Sequence, residues 1–495
     1  MCGILLVQSQ DSIPIEQHLQ AFARLQNRGP DFSRYQYQNN TFIGQSVLHI
    51  TGSADYYHLQ HKNFLAYNGE IYNYKEFGSF QNDIEFVHHA VENQIEVLRR
   101  AWGPWAWAWA WANGDKVTYA TDPQGERCLY QYQDESILIV CSEIVPILDY
   151  VDAVKIDLPY KNKTWNMLDQ TPWSGVIKIS PGKLYQNGHP ISTIDSIWDW
   201  VTQPNHHSMD EAYEDFCHRW QSVTRLMTPE CPAALTYSGG LDSSIILSHI
   251  HNLELYSVNN LGKDPIVDRV RDFLTPQEQS RLHEISVNES EWAQEFLQLM
   301  AGTQLPVLSW SWVGQWIATR HCQQRILFTG TGADELFGGY DAYKMINYTV
   351  QGPTSPYSEF GDHALWQYCL RVYDNDPRQA TLLMDYWYQV VGCDARGTDA
   401  IGGAWGIETR NPFLAQPVMQ FALNLPMEFK VGSVTKPLIR RLFLERWDPT
   451  LVFLKKGFTG HANDALPWLP FDIVPTGDRM QDWRQIARKG FYAGH

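Results

Sequence analysis

YSGGLDSS, residues 237–244, decides how the second half of this chain is read. It closes a strand-like apolar run, PAALTYS (232–238), and leads into a helical pattern from Ser243. A glycine pair at a strand-to-helix turn lets the backbone approach a ligand. The helix N-terminus then offers unpaired N–H groups and the positive end of a dipole to an anion. Alone, the same letters also describe an ordinary glycine turn with a serine cap. No lysine follows as in the GxxxxGK[ST] phosphate loop, so that motif is excluded. Asp242 tips the balance, because a carboxylate facing a bound polyphosphate invites Mg2+.

Outward from this turn the pattern repeats. LELYSVNN (253–260), a long helical region and RILFTG (325–330) alternate strand with helix, which predicts a doubly wound parallel sheet covered on both faces. TGTGADELFGGY (329–340) again ends a strand in glycines and acids. Ligands of such sheets sit beyond the carboxyl ends of the strands. Ser238, Asp242 and Asp334 are therefore expected to converge on one phosphate–metal site. From 341 to about 447 the sequence reads as mostly helical.

Residues 1–200 read differently, as short strands separated by turns: FIGQSVLHI, NFLAYNGEIYN, KVTYATD, SILIVCSEI and GVIKISPGKLY. In AWGPWAWAWAW (101–111) Trp105, Trp107, Trp109 and Trp111 share one strand face and alanines the other. A base-stacking platform would need basic interleaving, so the ladder reads as core. An NGD turn (113–115) predicts a hairpin with KVTYATD. Pro, Asn and paired His in DWVTQPNHHSMD (199–210) mark a linker, and a helix is expected over MDEAYEDFCHRWQSVTRLM (209–227).

Composition narrows the function. At 495 residues the chain exceeds one ordinary core, and 44% hydrophobic with 19% charged residues is globular usage. A formal charge of −17 disfavours nucleic acid as a partner without excluding a local nucleotide site. No apolar run reaches the ~18–20 residues of a membrane span, and the start lacks signal-peptide features, so a cytoplasmic protein without membrane contact is expected. The eight cysteines have no CxxC spacing, and the pairs His88–His89 and His206–His207 lack a third ligand at metal-site spacing.

Cys2, directly behind Met1, has two readings. It is a small buried hydrophobe, or, once Met1 is trimmed, a thiol with its own amine as base.

The motifs MCGI, NRGPD (27–31), YNGEIYN (67–73), NDIE (82–85), CSEI (141–144), ISPGKL (179–184), YSGGLDSS, GTGADELFGGY, GIETRNPFL (406–414), TKPLIRR (435–441) and KKGF (455–458) occur in an order that is specific as a set. The chain resembles the glutamine-dependent asparagine synthetases over nearly its whole length. The resemblance implies an N-terminal nucleophile (Ntn) hydrolase domain over 1–200, an α+β sandwich acting as a class II glutamine amidotransferase. It implies an ATP-binding synthetase domain of the pyrophosphatase-loop type over 208–495, an α/β doubly wound parallel sheet with a helical C-terminal extension. Cys2 would attack the side-chain amide of glutamine, and Asn68 and Gly69 would form the oxyanion hole, where one donor is typically worth ~10²–10³ in rate. Glu70 and Asp83 would hold the glutamine α-amine, with Leu48 in the same site. Ser238, Gly239, Gly240, Asp242, Ser243, Val258, Thr329, Gly330 and Asp334 would bind ATP and its pyrophosphate, Asp242 and Asp334 through Mg2+. Lys455 would stabilise charge at the phosphate.

The implied reaction hydrolyses glutamine, passes ammonia between the domains and amidates an adenylated carboxylate, most simply aspartate to asparagine. Small molecules are then the partners, and a homodimer is left open. A runner-up keeps adenylation but closes a ring or joins another amine, as β-lactam and lasso-peptide cyclases do. A third reading, a regulatory protein on the same fold, is opposed by the intact Asp242, Asp334 and Lys455. Two positions depart from the family. Val47 stands where an arginine commonly clamps the glutamine carboxylate, so either another cation such as Arg28 serves or glutamine binds weakly. Thr331 stands where the family commonly has glutamate, which leaves the acceptor open. Ala415 replaces a frequent aspartate after PFL, and Glu408 with Arg410 is expected to form a structural ion pair.

Overall fold

A computed structural model describes residues 1–51, 63–153, 155, 168–202, 206–260, 270–345, 363–451, 469–470, 489 and 491. The first half builds two antiparallel sheets. One runs in the order β2 (Phe32–Gln38), β3 (Thr41–Val47), β1 (Gly3–Ser9), β8 (Ile137–Cys141), β7 (Tyr130–Gln133), β9 (Val176–Lys178). The other runs β11 (His189–Thr193), β10 (Lys183–Gln186), β6 (Val117–Thr121), β5 (Trp105–Ala110), β4 (Phe64–Gly69).

The tryptophan–alanine alternation explains how these sheets pack. Ala106, Ala108 and Ala110 share a core with Ile4, Leu6, Ile43 and Val140 of the other sheet, where small side chains let the two layers approach. Trp105, Trp107 and Trp109 turn the opposite way and pack with Ile84, Phe86 and Val87 of the helix Asp83–Asn93. Trp111 is only half-buried. The ladder is therefore core, and β5 pairs with β6 as the hairpin reading expected.

The helix Met209–Met227 matches the expected span, with the Ser208 side chain accepting from the Glu211 N–H as its cap. The second half is a parallel sheet in the order β14 (Leu282–Val287), β13 (Glu254–Asn260), β12 (Ala233–Thr236), β15 (Ile326–Phe328), β16 (Glu408–Arg410). The direction of strand addition reverses between β12 and β15, so the loops after these two strands flank the crevice where doubly wound sheets bind ligands.

Three expectations need correction here. The helix after β12 starts at Leu241, with Gly240 as its cap, rather than at Ser243. The long helical region contains the strand β14, whose residues are mostly partly or fully exposed, so its apolar signal is weak. The helical tail contains β16, three buried residues of which two are charged; its burial rests on ion pairs, which hydrophobic periodicity cannot register. Among the described residues no helix is long and apolar enough to cross a membrane.

The halves are fastened together. One apolar cluster joins Leu5, Val7 and Phe22 to Ala234, Tyr256 and Trp292. Arg325, just before β15, pairs with Asp31 through both guanidinium Nη atoms and donates to the His49 carbonyl.

Candidate active sites

Cys2 precedes β1 and is 8% exposed. Its backbone N–H donates to Asn68 Oδ1 at 2.9 Å, and its Sγ lies 3.8 Å from the Leu48 carbonyl oxygen. Asn68 is buried at the end of β4, and its Nδ2 has no hydrogen-bond partner among the described residues. One cavity is lined by Cys2, Leu48, Tyr67, Asn68, Gly69, Glu70 and Asp83. Its floor needs glycine at 69, because a Cβ there would sit 2.3 Å from the Pro104 carbonyl oxygen. A thiol and a buried amide donor lining one cavity are the parts needed to attack a carbonyl and hold the resulting oxyanion.

Met1 is buried beside Cys2, and burial brings its amine down to about 5. While Met1 is attached, the Cys2 nitrogen is an amide and cannot serve as a base.

Two carboxylates define the far side of the cavity. Burial, and then the Asp83 charge, push Glu70 up to about 8, while burial raises Asp83 to about 6. Asp83 accepts from the Tyr67 hydroxyl at 2.7 Å and the Ile71 N–H at 3.1 Å. A ligand ammonium favours the charged forms and would lower both values. In the free enzyme the pair must lose its protons before it can bind an ammonium, so kcat/KM for glutamine hydrolysis is expected to rise between pH 6 and about 8. Comparison with the profile of Glu70→Gln separates this limb from titration of Cys2; identical profiles would count against it.

Glu408 also lines this cavity, although it comes from β16 in the other half. Burial opposes its charge most strongly, but Arg410, the Met1 amine and Arg127 together outweigh that and hold it below the usual carboxylate range. Arg410 donates to Glu408 at 2.8 Å and to the Met227 carbonyl, and its Nη2 stands 3.7 Å from Glu70. The expected ion pair is present, but its Glu408 member forms part of the pocket wall. Sequence reading missed that role because nothing local links residue 408 to residue 70.

Arg28 occupies a different place from the one suggested for it. It is fully buried away from the cavity lining, with its Nε on the Cys2 carbonyl at 2.9 Å and its Nη atoms on Asp399 at 3.0 Å and Glu143 at 3.3 Å. All three contacts are occupied within the protein, and the one to Asp399 joins the halves. Val47 is likewise fully buried, at the end of β3. Arg28→Met is expected to destabilise the protein by about 3–5 kcal/mol, because Asp399 would be left buried and uncompensated. Denaturant unfolding checks this; a stable variant with a raised KM for glutamine would return Arg28 to the substrate.

At the second site, Ser238 Oγ lies 3.2 Å from Ser243 Oγ and accepts from the Gly240 N–H at 3.3 Å, which closes the turn around Gly239. Val258 belongs to the adjacent β13. Thr329 donates its N–H to the Arg410 carbonyl at 3.0 Å, and its hydroxyl is 2.8 Å from that of Thr331. Asp242 and Asp334, from the ends of different strands, meet at Lys436, whose Nζ is 2.6 Å from each. Gly330 packs directly against Asp242. Sequence reading passed over Lys436 within TKPLIRR, where only its place at the head of a Pro-started helix could have marked it. Lys455 lies outside the described residues.

Two carboxylates sharing one cation form a hard oxygen donor set that suits Mg2+ together with substrate phosphates. The paired histidines do other work: His206 pairs with Asp215 at 3.0 Å, and His88 packs on Trp109. Among the described residues no cluster of three or more His, Cys, Asp or Glu could hold a metal.

A cysteine-headed antiparallel sandwich fastened to a doubly wound parallel sheet with a carboxylate-bearing crevice defines a two-site amidotransferase–ligase class. Residues 1–194 match the glutamine amidotransferase domain family and residues 220–457 match asparagine synthase. The chain belongs to the asparagine synthetase family of glutamine-dependent, amide-forming ligases. It is 21% identical over 563 residues to asparagine synthetase [glutamine-hydrolyzing] 1 of Saccharomyces cerevisiae, covering 98% of this chain and 84% of that protein. It is 22% identical over 375 residues to amidase chry2 of Gibberella zeae, covering 64% of this chain and 54% of that protein. Among solved structures, the glutamine phosphoribosylpyrophosphate amidotransferase from B. subtilis complexed with ADP and GMP aligns with TM-score 0.30 and 13% identity, over 58% of this chain and 81% of that one.

Proposed function

We propose that this protein hydrolyses glutamine at Cys2 and uses ATP to adenylate a carboxylate, which the released ammonia converts to an amide with loss of AMP. Aspartate to asparagine is the simplest case. The observation that carries the reading is Asn68, which holds the Cys2 nitrogen with its oxygen and keeps a buried amide donor, unpartnered among the described residues, in the cavity that Cys2 lines. Asn68 Nδ2 and Gly69 would receive the oxyanion, while Glu70 and Asp83 would bind the substrate ammonium.

Transfer of ammonia between the sites is supported by β16. Glu408 faces the glutamine pocket, and two residues on, the Arg410 carbonyl binds Thr329 at the nucleotide crevice. Asp242 and Asp334 would hold Mg2+, which would supply charge neutralisation at the phosphates. The domains are proposed to run 1–200 and 208–495, in a cytoplasmic enzyme.

A second reading, adenylation of a different acceptor, is favoured by one observation. Thr331 is short and its hydroxyl is engaged by Thr329, so it offers the crevice no carboxylate where the family commonly has one. The deciding experiment supplies ATP, Mg2+ and glutamine with a panel of carboxylates and measures pyrophosphate together with glutamate. Release of both with aspartate supports asparagine formation, and release with another acid supports the second reading. Glutamate without pyrophosphate for any acid would overturn adenylation.

A further inference from the structure

Lys436 is the group at the nucleotide crevice that the reading above leaves without a task. Its ammonium is 2.6 Å from both Asp242 and Asp334, and its side chain is 3% exposed against 24% and 17% for the two acids. The lysine is therefore the buried member of the triad and the carboxylates are its open side. The surroundings are shaped to keep it there. Lys436 has φ 52 and ψ 50, in the left-handed region that a side chain rarely adopts, and its N–H is tied to the Lys430 carbonyl at 3.0 Å. A Cβ at Gly339 would come 2.5 Å from the lysine Cε and 1.8 Å from Asp334 Oδ1, so only glycine there leaves room for the side chain to reach the pair.

We propose that Lys436 is a cation stand-in and phosphate-positioning residue. Without nucleotide its ammonium neutralises Asp242 and Asp334; when a divalent cation takes the two carboxylates, the ammonium is released onto the incoming polyphosphate. The physical basis is that two carboxylates this close repel unless a positive charge lies between them. The lysine and the metal compete for the same oxygens, so bare metal binds weakly. A metal–nucleotide complex binds well, because its phosphates offer the displaced ammonium new acceptors. The crevice thus selects the metal–nucleotide complex over free metal. This rests on reading the crevice as a nucleotide–metal site.

The test uses the full chain and Mn2+ as probe, followed by electron paramagnetic resonance without nucleotide. Lys436→Met is expected to bind Mn2+ about tenfold or more tightly than wild type, since the carboxylates lose their resident cation. Lys436→Arg keeps the charge and should stay near wild type, and Lys436→Met should raise the KM for ATP. If the methionine variant does not fold, acylation of wild-type Lys436 by an N-hydroxysuccinimide ester, read by peptide mass spectrometry, decides alone. Labelling should rise when Mn2+ is added and fall again with ATP. Equal Mn2+ affinity in wild type and Lys436→Met, or labelling indifferent to Mn2+, would overturn the inference while leaving the nucleotide reading intact. No Mn2+ binding by any form, with or without ATP, would overturn both.

Discussion

Cys2→Ala is expected to abolish glutamine-dependent product while ammonia-dependent synthesis continues. The thiol is the only nucleophile proposed for the amide, and removing such a group typically costs at least ~10⁴ in rate. The cavity should survive, because the change removes one buried sulfur and the Asn68 bond is to the backbone nitrogen. Ammonia supplied as a salt enters the second site directly, so that half should keep its turnover. Met1 adds a condition. Protein that retains it has no free Cys2 amine, and the buried Met1 amine sits at the interface with Glu408 and Arg28 near it. Such protein should be inactive with glutamine, and mass spectrometry of an active preparation should show Cys2 first. Glutaminase activity that persists in Cys2→Ala, or an active preparation with intact Met1, would end the nucleophile assignment.

Much of this was legible in the sequence because the signals are local. The Trp–Ala alternation over 105–110 carries the period of a two-sided buried strand, and the YSGGLDSS turn carries its glycines, cap and acid within eight residues. What escaped is long-range. The Arg28–Asp399 pair and the Glu70–Arg410 contact join residues more than 300 positions apart. Arg28 lies away from the cavity lining, a placement that charge alone does not reveal, because it does not show which partners a buried guanidinium already has. A buried arginine must satisfy its donors, and Arg28 does so with the Cys2 carbonyl, Glu143 and Asp399. The same rule explains why β16 went unread, since its burial is electrostatic rather than apolar.

Arg28 is committed elsewhere, and among the described residues Arg410 stands behind the cavity wall, paired with Glu408 and 3.7 Å from Glu70. With Val47 in place of the common arginine, weak binding of the glutamine carboxylate is the expected result, and a KM for glutamine in the submillimolar range would show that another cation fills the clamp. An arginine introduced at 47 would have to be accommodated at a fully buried strand position, so the clamp cannot be restored there without disturbing β3. In the proposed reading Glu70 and Asp83 hold the ammonium end.

Asp242→Asn and Asp334→Asn are each expected to remove pyrophosphate formation, by about 10³-fold or more, the scale of several kcal/mol of lost metal-assisted charge stabilisation. The two acids have separate origins. Asp242 follows β12 and Asp334 follows β15, and the fold brings both to the point where strand order reverses. Each is partly exposed, and both pair with Lys436. Neutralising one leaves the lysine the other acid, so no buried charge is orphaned and folding should be retained. Neither residue lines the Cys2 cavity, so glutamine hydrolysis without acceptor should proceed at the wild-type rate. The decisive measurement is pyrophosphate release beside glutamate release in the same variant. Loss of the first with retention of the second locates the metal-assisted step at these carboxylates, whereas normal ATP turnover in either variant places the metal elsewhere.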